Sequence, residues 1–155
     1  MQAQTPTPIL PETLNIEDGL SQGFIPVIHQ DREGFLWFGT KNGLNRYDGR
    51  EFKVFTHDPD NPYSISNDWK QTIDEQGEFL IIGAHDQFLN LFHKKTQQCY
   101  PISLRDKVAS AFSRVEVLFE DTLGNYWLNT RDQNQVIRLS FPDRFWERFL
   151  KDTTL

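Results

Sequence analysis

Three dipeptides offer the side chains best suited to recognising a polar ligand: Lys41-Asn42, His85-Asp86 and Arg131-Asp132. Each sets a cationic or titratable donor beside an amide or carboxylate, a pairing that can grip a hydroxyl or carboxyl group through two hydrogen bonds at once. Each lies in a loop of the same kind, "TKNG", "AHDQ" and "TRDQNQ", directly after an apolar run. Loops rising on one face would converge these pairs on a single rim fitted to polyhydroxylated or acidic sugars. The stretch "HDPDNPYSIS" is expected to add His57, Asp60, Asn61 and Tyr63 to that rim. The same residue types also fill solvated turns for purely local reasons, so the pattern defines candidates for binding and no more.

Catalytic chemistry is thinly represented. The chain has no nucleophile elbow, no zinc-protease helix motif and no phosphate-cradling glycine loop. Its four histidines stand apart from one another, and His29 and His93 fall within strand patterns, where a structural role is expected. "DPDNP" lacks the ligand spacing and final Glu of a calcium loop and reads as a turn. Cys99 is the single cysteine, which excludes an intrachain disulfide and a cysteine-based zinc site. No metal and no cofactor is expected. The net charge of -6 and the absence of a basic run argue against nucleic acid. No apolar stretch is long enough to span a membrane. The opening "MQAQTPTPILPE" has neither region of a signal peptide and reads as what remains once one is removed.

The elements that would carry these loops repeat. Asp31, Gly34, Trp37, Gly39 and Thr40 recur as Asp121, Gly124, Trp127 and Thr130, with Asn129 at the second glycine's place. A middle copy has Asp74, Gly77 and Gly83, with Ala84 for the Thr and Leu80 in the region of the Trp. Gly34, Gly77 and Gly124 are 43 and 47 residues apart, the length of one four-stranded propeller blade. In Asp-x-x-Gly the carboxylate can hold backbone two residues on while Gly adopts positive φ, so Asp31, Asp74 and Asp121 are expected to close hairpins. "FLWFGT" and "FLIIGA" are continuously apolar, as strands covered on both faces are. The pattern predicts strands at 26–30, 35–40, 44–47 and 52–56, then 69–73, 79–84, 88–93 and 99–103, then 114–119, 125–129 and 135–140. A last strand at 145–150 is favoured over a short amphipathic helix. Trp37, Trp127, Phe38 and Phe79 are expected to be packing residues.

The run from Asp31 to Tyr47 resembles, without a gap, the two-component regulator propeller repeat D-x-x-G-x-L-W-x-G-T-x-x-G-L-x-x-Y. It is similar to the start of the periplasmic sensor region of Bacteroides-type hybrid two-component systems. The resemblance implies an all-β fold of about three four-stranded antiparallel blades, part of a seven-bladed-type propeller. On that basis residues 1–13 form a flexible segment and residues 14–155 a partial propeller, with units near 26–57, 69–104 and 114–150. It further implies a periplasmic, non-catalytic fragment of an oligosaccharide-sensing histidine kinase. A glycosidase or lyase, or an interaction scaffold, are the alternatives. The segment around "ETLNIEDGL" would be a strand closing the ring with the last blade. With the remaining blades absent, exposed edges invite self-association.

Overall fold

The computed structural model of the chain describes residues 11–105, 116–130, 135–141, 145 and 149. These form three consecutive antiparallel sheets of propeller-blade type. The first comprises β1 (Val27–Gln30), β2 (Leu36–Thr40), β3 (Gly43–Tyr47) and β4 (Phe52–Phe55) in sequence order. The second comprises β5 (Lys70–Gln76), β6 (Phe79–Ala84), β7 (Phe88–His93) and β8 (Cys99–Ser103). The third comprises β9 (Glu116–Glu120), β10 (Asn125–Thr130) and β11 (Gln135–Ser140). Strand β5 touches β1 on one side and β9 on the other, so the first strand of each sheet lies innermost.

The registers superpose the repeats. Gly39 pairs with Val27 and Leu44, and Gly83 pairs with Thr72 and Leu89. This alignment puts Ile81, two before its glycine, at the level of Trp37; the sequence pattern had put Leu80 there. Alternation along the strands then sends Trp37 and Ile81 toward the following sheet and Phe38 and Ile82 toward the preceding one. Trp37 and Leu44 pack with Ile73, Leu80, Ile82 and Phe92 between sheets one and two. Phe79, Ile81, Leu89 and Leu91 pack with Tyr126 and Leu128 between sheets two and three. Every residue of β6 is therefore buried, as a continuous apolar run requires.

Two of the three repeat hairpins are closed by their aspartate. Asp31 Oδ1 accepts the backbone N–H groups of Glu33 and Phe35, each at 3.0 Å, and Oδ2 accepts the Trp37 indole N–H at 2.8 Å. Asp121 does the same for Leu123, Asn125 and Trp127, at 2.9, 2.9 and 3.0 Å. Gly34 and Gly124 supply the positive φ of these loops, 94° and 77°. The middle hairpin differs from expectation. Strand β5 continues through Asp74 to Gln76, which pairs directly with Phe79, and the turn is the two residues Gly77 and Glu78. Gly77, with φ 58° at the first loop position, makes that tight loop possible. Asp74 thus sits inside a strand opposite Ile81, and its Oδ1 accepts the adjacent Glu75 N–H at 2.9 Å.

Two further expectations are corrected. "ETLNIEDGL" contributes no strand: Ile16–Asp18 is a 3-10 turn in which Asn15 and Asp18 cap each other, and Gly19 at φ 103° turns the chain. Buried Leu20 and Ser21 then dock on sheet one, with the Ser21 N–H donating to Asn45 Oδ1 at 2.9 Å. In the region expected to form a last strand, the two described residues, Phe145 and Phe149, carry helical backbone. Their four-residue spacing stacks one ring on the other at 5.4 Å and brings Phe149 edge-on to Phe79 and Tyr100. Residues 1–10, most of the segment expected to be flexible, lie outside the described residues.

Candidate functional site

The β2–β3 turn is built rigidly enough to aim its lysine. Thr40 Oγ1 accepts the Asn42 N–H at 2.9 Å, and the Gly43 N–H donates to Asp68 O at 2.8 Å. Gly43 has φ 109°, and a Cβ there would lie 2.4 Å from the Phe55 carbonyl oxygen, so no side chain fits. Lys41 Nζ stands 4.7 Å from the Phe24 ring centroid and 4.5 Å from that of Trp69. Trp69 lies parallel to His85, 4.2 Å between centroids and 6° between planes, and its carbonyl accepts the His85 N–H at 2.9 Å. One continuous run of contacts, Phe24–Lys41–Trp69–His85, therefore crosses from sheet one to sheet two. An ammonium group held against two rings is stabilised by their quadrupoles while remaining available to an anion. Lys41 makes no ion pair among the described residues.

Asp86 continues the run. Its Oδ1 closes the β6–β7 turn by accepting the Phe88 N–H at 3.0 Å, whereas Oδ2 is buried without a partner, as is Trp69 Nε1. A cleft of about 390 Å³ opens beside it, lined by His85, Asp86, Gln87, Phe88, Ser103 and Arg105. Arg105 Nε donates to Gln87 Oε1 at 3.1 Å. Among the described residues of that lining, Asp86 is the one carboxylate. Beneath the run, Lys70 is fully buried and donates to Asn67 O. Burial pushes its ammonium down to about 8, against the opposing pull of the Cys99, Asp86 and Asp68 charges.

Of the residues expected on this rim, the structure brings together Lys41, His85 and Asp86 and leaves Asn42 exposed beside them, its amide donating to Ser21 O at 3.4 Å. Arg131 and Asp132 lie outside the described residues. His57, Asp60, Asn61 and Tyr63 do not join them. His57 folds back on Ile65 O at 2.7 Å, and the Tyr63 carbonyl accepts the Cys99 N–H at the far end of the sheet. Asn61 and Tyr63 instead line a separate cleft of about 220 Å³ with Phe55, Phe92 and Gln97, and the exposed Asp60 N–H binds Asp58 within the loop. His93 is held by Thr96 and Glu78. His29 Nε2, expected to be satisfied, has no hydrogen-bond partner and lies 4.0 Å from Glu75.

Sequence reasoning missed Phe24 and Trp69, the two rings of the run. They are 45 residues apart and precede β1 and β5 at equivalent points. The same interval separates Ser21 from Ser66 and Asn45 from Asn90, and the Ser66 N–H donates to Asn90 Oδ1 at 2.8 Å just as Ser21 does to Asn45. That interval was the available signal. Also missed was a charged cluster at the opposite end of the sheets. Lys94 Nζ there contacts Glu75 at 2.5 Å, Glu33 at 3.4 Å and Asp31 at 4.0 Å. Glu75 also accepts the Arg32 N–H. It ties sheets one and two together. Among the described residues no three His, Cys, Asp or Glu side chains are grouped to hold a metal, and no helix is long and apolar enough to cross a membrane.

Residues 19–42, which span Phe24, the Asp31 clamp, Trp37 and Lys41, match the model of the two component regulator propeller. The chain carries a regulator-propeller repeat. A curated relative, histidine kinase P4 of Formosa agariphila, is 49% identical over 49 residues, which cover 32% of this chain and 4% of that protein. A solved structure, the extracellular domain of the hybrid two component system BT3049 from B. thetaiotaomicron, shares 18% identity at a TM-score of 0.39. That likeness covers 85% of this chain and 30% of the other. The chain thus spans a small part of either protein. Its matched segment contains both halves of the arrangement described above, the turn clamp at one end of sheet one and the cationic rim at the other.

Proposed function

We propose that this chain is the N-terminal part of the ligand-sensing propeller of a hybrid histidine kinase and response regulator. The propeller would lie in the periplasm and bind oligosaccharides, with binding rather than turnover as its task. The regulator-propeller segment and the kinase relative support the sensor reading. The observation that carries the ligand is the run Phe24–Lys41–Trp69–His85, which continues into the cleft lined by Asp86, Ser103 and Arg105. A sugar laid along it meets ring surface, the Lys41 cation and, in the cleft beside Asp86, the polar side chains of Ser103 and Arg105, the mixture that polyhydroxylated or uronate-bearing chains require. Since the run spans two sheets, a ligand across it binds best at one relative position of the sheets and so shifts a population between signalling states.

Isothermal calorimetry and tryptophan fluorescence of the full chain against neutral and uronate-containing oligosaccharides test this. The expected result is saturable binding of one class, accompanied by a fluorescence change. Lys41→Met should weaken uronate binding about tenfold, the loss of one charged hydrogen bond, without lowering the thermal midpoint. Absence of binding to both classes, or binding indifferent to Lys41→Met and Trp69→Ala together, would sink the assignment.

A further inference from the structure

The boundaries between consecutive sheets follow one plan, and they differ in charge at one place. Ile81 stands level with Trp37, so Asp74, paired with Ile81, occupies the position of His29, paired with Trp37. Glu75 pairs with Leu80 and Glu120 with Tyr126, each one residue before that level, so the two glutamates also correspond. At the first boundary His29 meets Glu75, Nε2 to Oε2 at 4.0 Å, and Lys94 Nζ stands 2.5 Å from the same carboxylate. At the second boundary the same register sets Asp74 against Glu120. Contact there is direct, since Gln76 Nε2 donates to Glu120 Oε1 at 3.5 Å. In the place of Lys94 stands Phe141. Lys94 follows His93, the partner of Phe79, just as Phe141 follows Ser140, the partner of Asn125. Among the described residues no Lys, Arg or His forms an ion pair with Asp74 or Glu120.

A second observation points into the same place. Tyr126 is fully buried with its ring edge-on to Phe141, and its hydroxyl has no hydrogen-bond partner. Burial, then the charges of Asp74 and Glu120, pushes that hydroxyl up and keeps it a neutral phenol. Both carboxylates are thus close enough to act on it. We propose that Asp74 and Glu120, with the Tyr126 hydroxyl oxygen and the Gln76 amide oxygen, bind a calcium ion that joins sheets two and three. Two carboxylates with two neutral oxygens suit a hard cation that accepts irregular oxygen geometry, and water completes its shell from the half-exposed side. The ion takes at the second boundary the part that the Lys94 ammonium takes at the first, offsetting the repulsion of facing carboxylates.

Thermal unfolding of the full chain in EDTA and in calcium chloride, with terbium luminescence as a direct reading of the site, tests this. Calcium at a hundredfold excess over its dissociation constant should raise the midpoint by about 5–10 °C. Magnesium, which demands a tight octahedron and sheds water reluctantly, should do much less. Terbium should luminesce on excitation of the neighbouring aromatic rings, and calcium should quench that signal by displacement. Asp74→Asn and Glu120→Gln keep shape and should each abolish both effects with the midpoint in EDTA nearly unchanged. Tyr126→Phe, which keeps the ring, should weaken calcium binding several-fold. A wild-type chain indifferent to millimolar calcium overturns the proposal, and so do effects that persist in Asp74→Asn or Glu120→Gln. A midpoint that rises on acidification in EDTA, in the wild type alone and with no response to calcium, also overturns it and gives the pair a shared proton instead.

Discussion

The first and middle hairpins solve one problem by different means. In the first, one carboxylate ties the turn to the core: Asp31 holds two loop N–H groups and the indole of buried Trp37. In the middle, Ile81 stands at the tryptophan's level and brings no N–H. With no donor to satisfy, the turn contracts to Gly77 and Glu78, and Asp74 is left in the strand. The neighbouring carboxylate, Glu75, serves a different contact, accepting from the Arg32 N–H and Lys94 across the boundary between sheets. The difference teaches that the aspartate is required by the tryptophan. Leaving the buried Trp37 indole N–H unpaired would cost about 1–3 kcal/mol, and the turn is where its partner is placed.

The largest effect that would break this comparison is loss of the first clamp. Asp31→Ala strands the Trp37 N–H and two loop N–H groups and removes a neighbour of Lys94, so chemical denaturation should show a loss of about 3–4 kcal/mol. Next is Glu75→Ala, which leaves buried Lys94 without its nearest partner and should cost about 2–3 kcal/mol by the same measurement. Trp37→Phe should follow at about 1–2 kcal/mol. Combined with Asp31→Ala it should cost clearly less than the sum, because each change removes the same bond. Strict additivity would refute the coupling of turn and core. Asp74→Ala sharpens the contrast from below and should change stability by less than about 0.5 kcal/mol.

The third hairpin supplies a pH signature of the clamp. The Asn125 side chain, then its backbone N–H, then Trp127 and Leu123 all donate to Asp121 and hold its carboxyl down at about 2, below the usual 3.8. A depressed carboxyl stabilises the fold above its unfolded value and loses that contribution as pH falls through its folded one. The Trp127 indole N–H resonance should therefore stay fixed down to about pH 4 and move between there and pH 2. Movement at or above pH 4 would mean the clamp is not formed. The same hairpin should be less sensitive than the first to Asp→Ala, because Trp127 is only partly buried whereas Trp37 is fully buried.

Much of the fold could be read from residues whose effect is local. Glycine at positive φ, aspartate capping a loop and an unbroken apolar run each act within a few residues, and all eleven strands follow from them, although β5 ends three residues later than expected. Lys41, His85 and Asp86 were visible for the same reason, since each stands in a turn whose position is dictated by the strands around it. What could not be read depends on contacts between segments distant in the chain. Whether Asp74 ends a strand turns on the residue buried opposite it. Whether Asn61 and Tyr63 rise to the rim or fold back turns on Cys99 and Tyr100 receiving Tyr63. The helical backbone at Phe145 and Phe149 accompanies their docking on Phe79 and Tyr100. The amino-acid order by itself determined the repeat, its turns and its alternation, because hydrogen-bonding rules and side-chain periodicity are short-ranged. Only the tertiary structure decided which rings flank Lys41 and which carboxylates hold Lys94, because burial belongs to the packed sheets together and to no single stretch of chain.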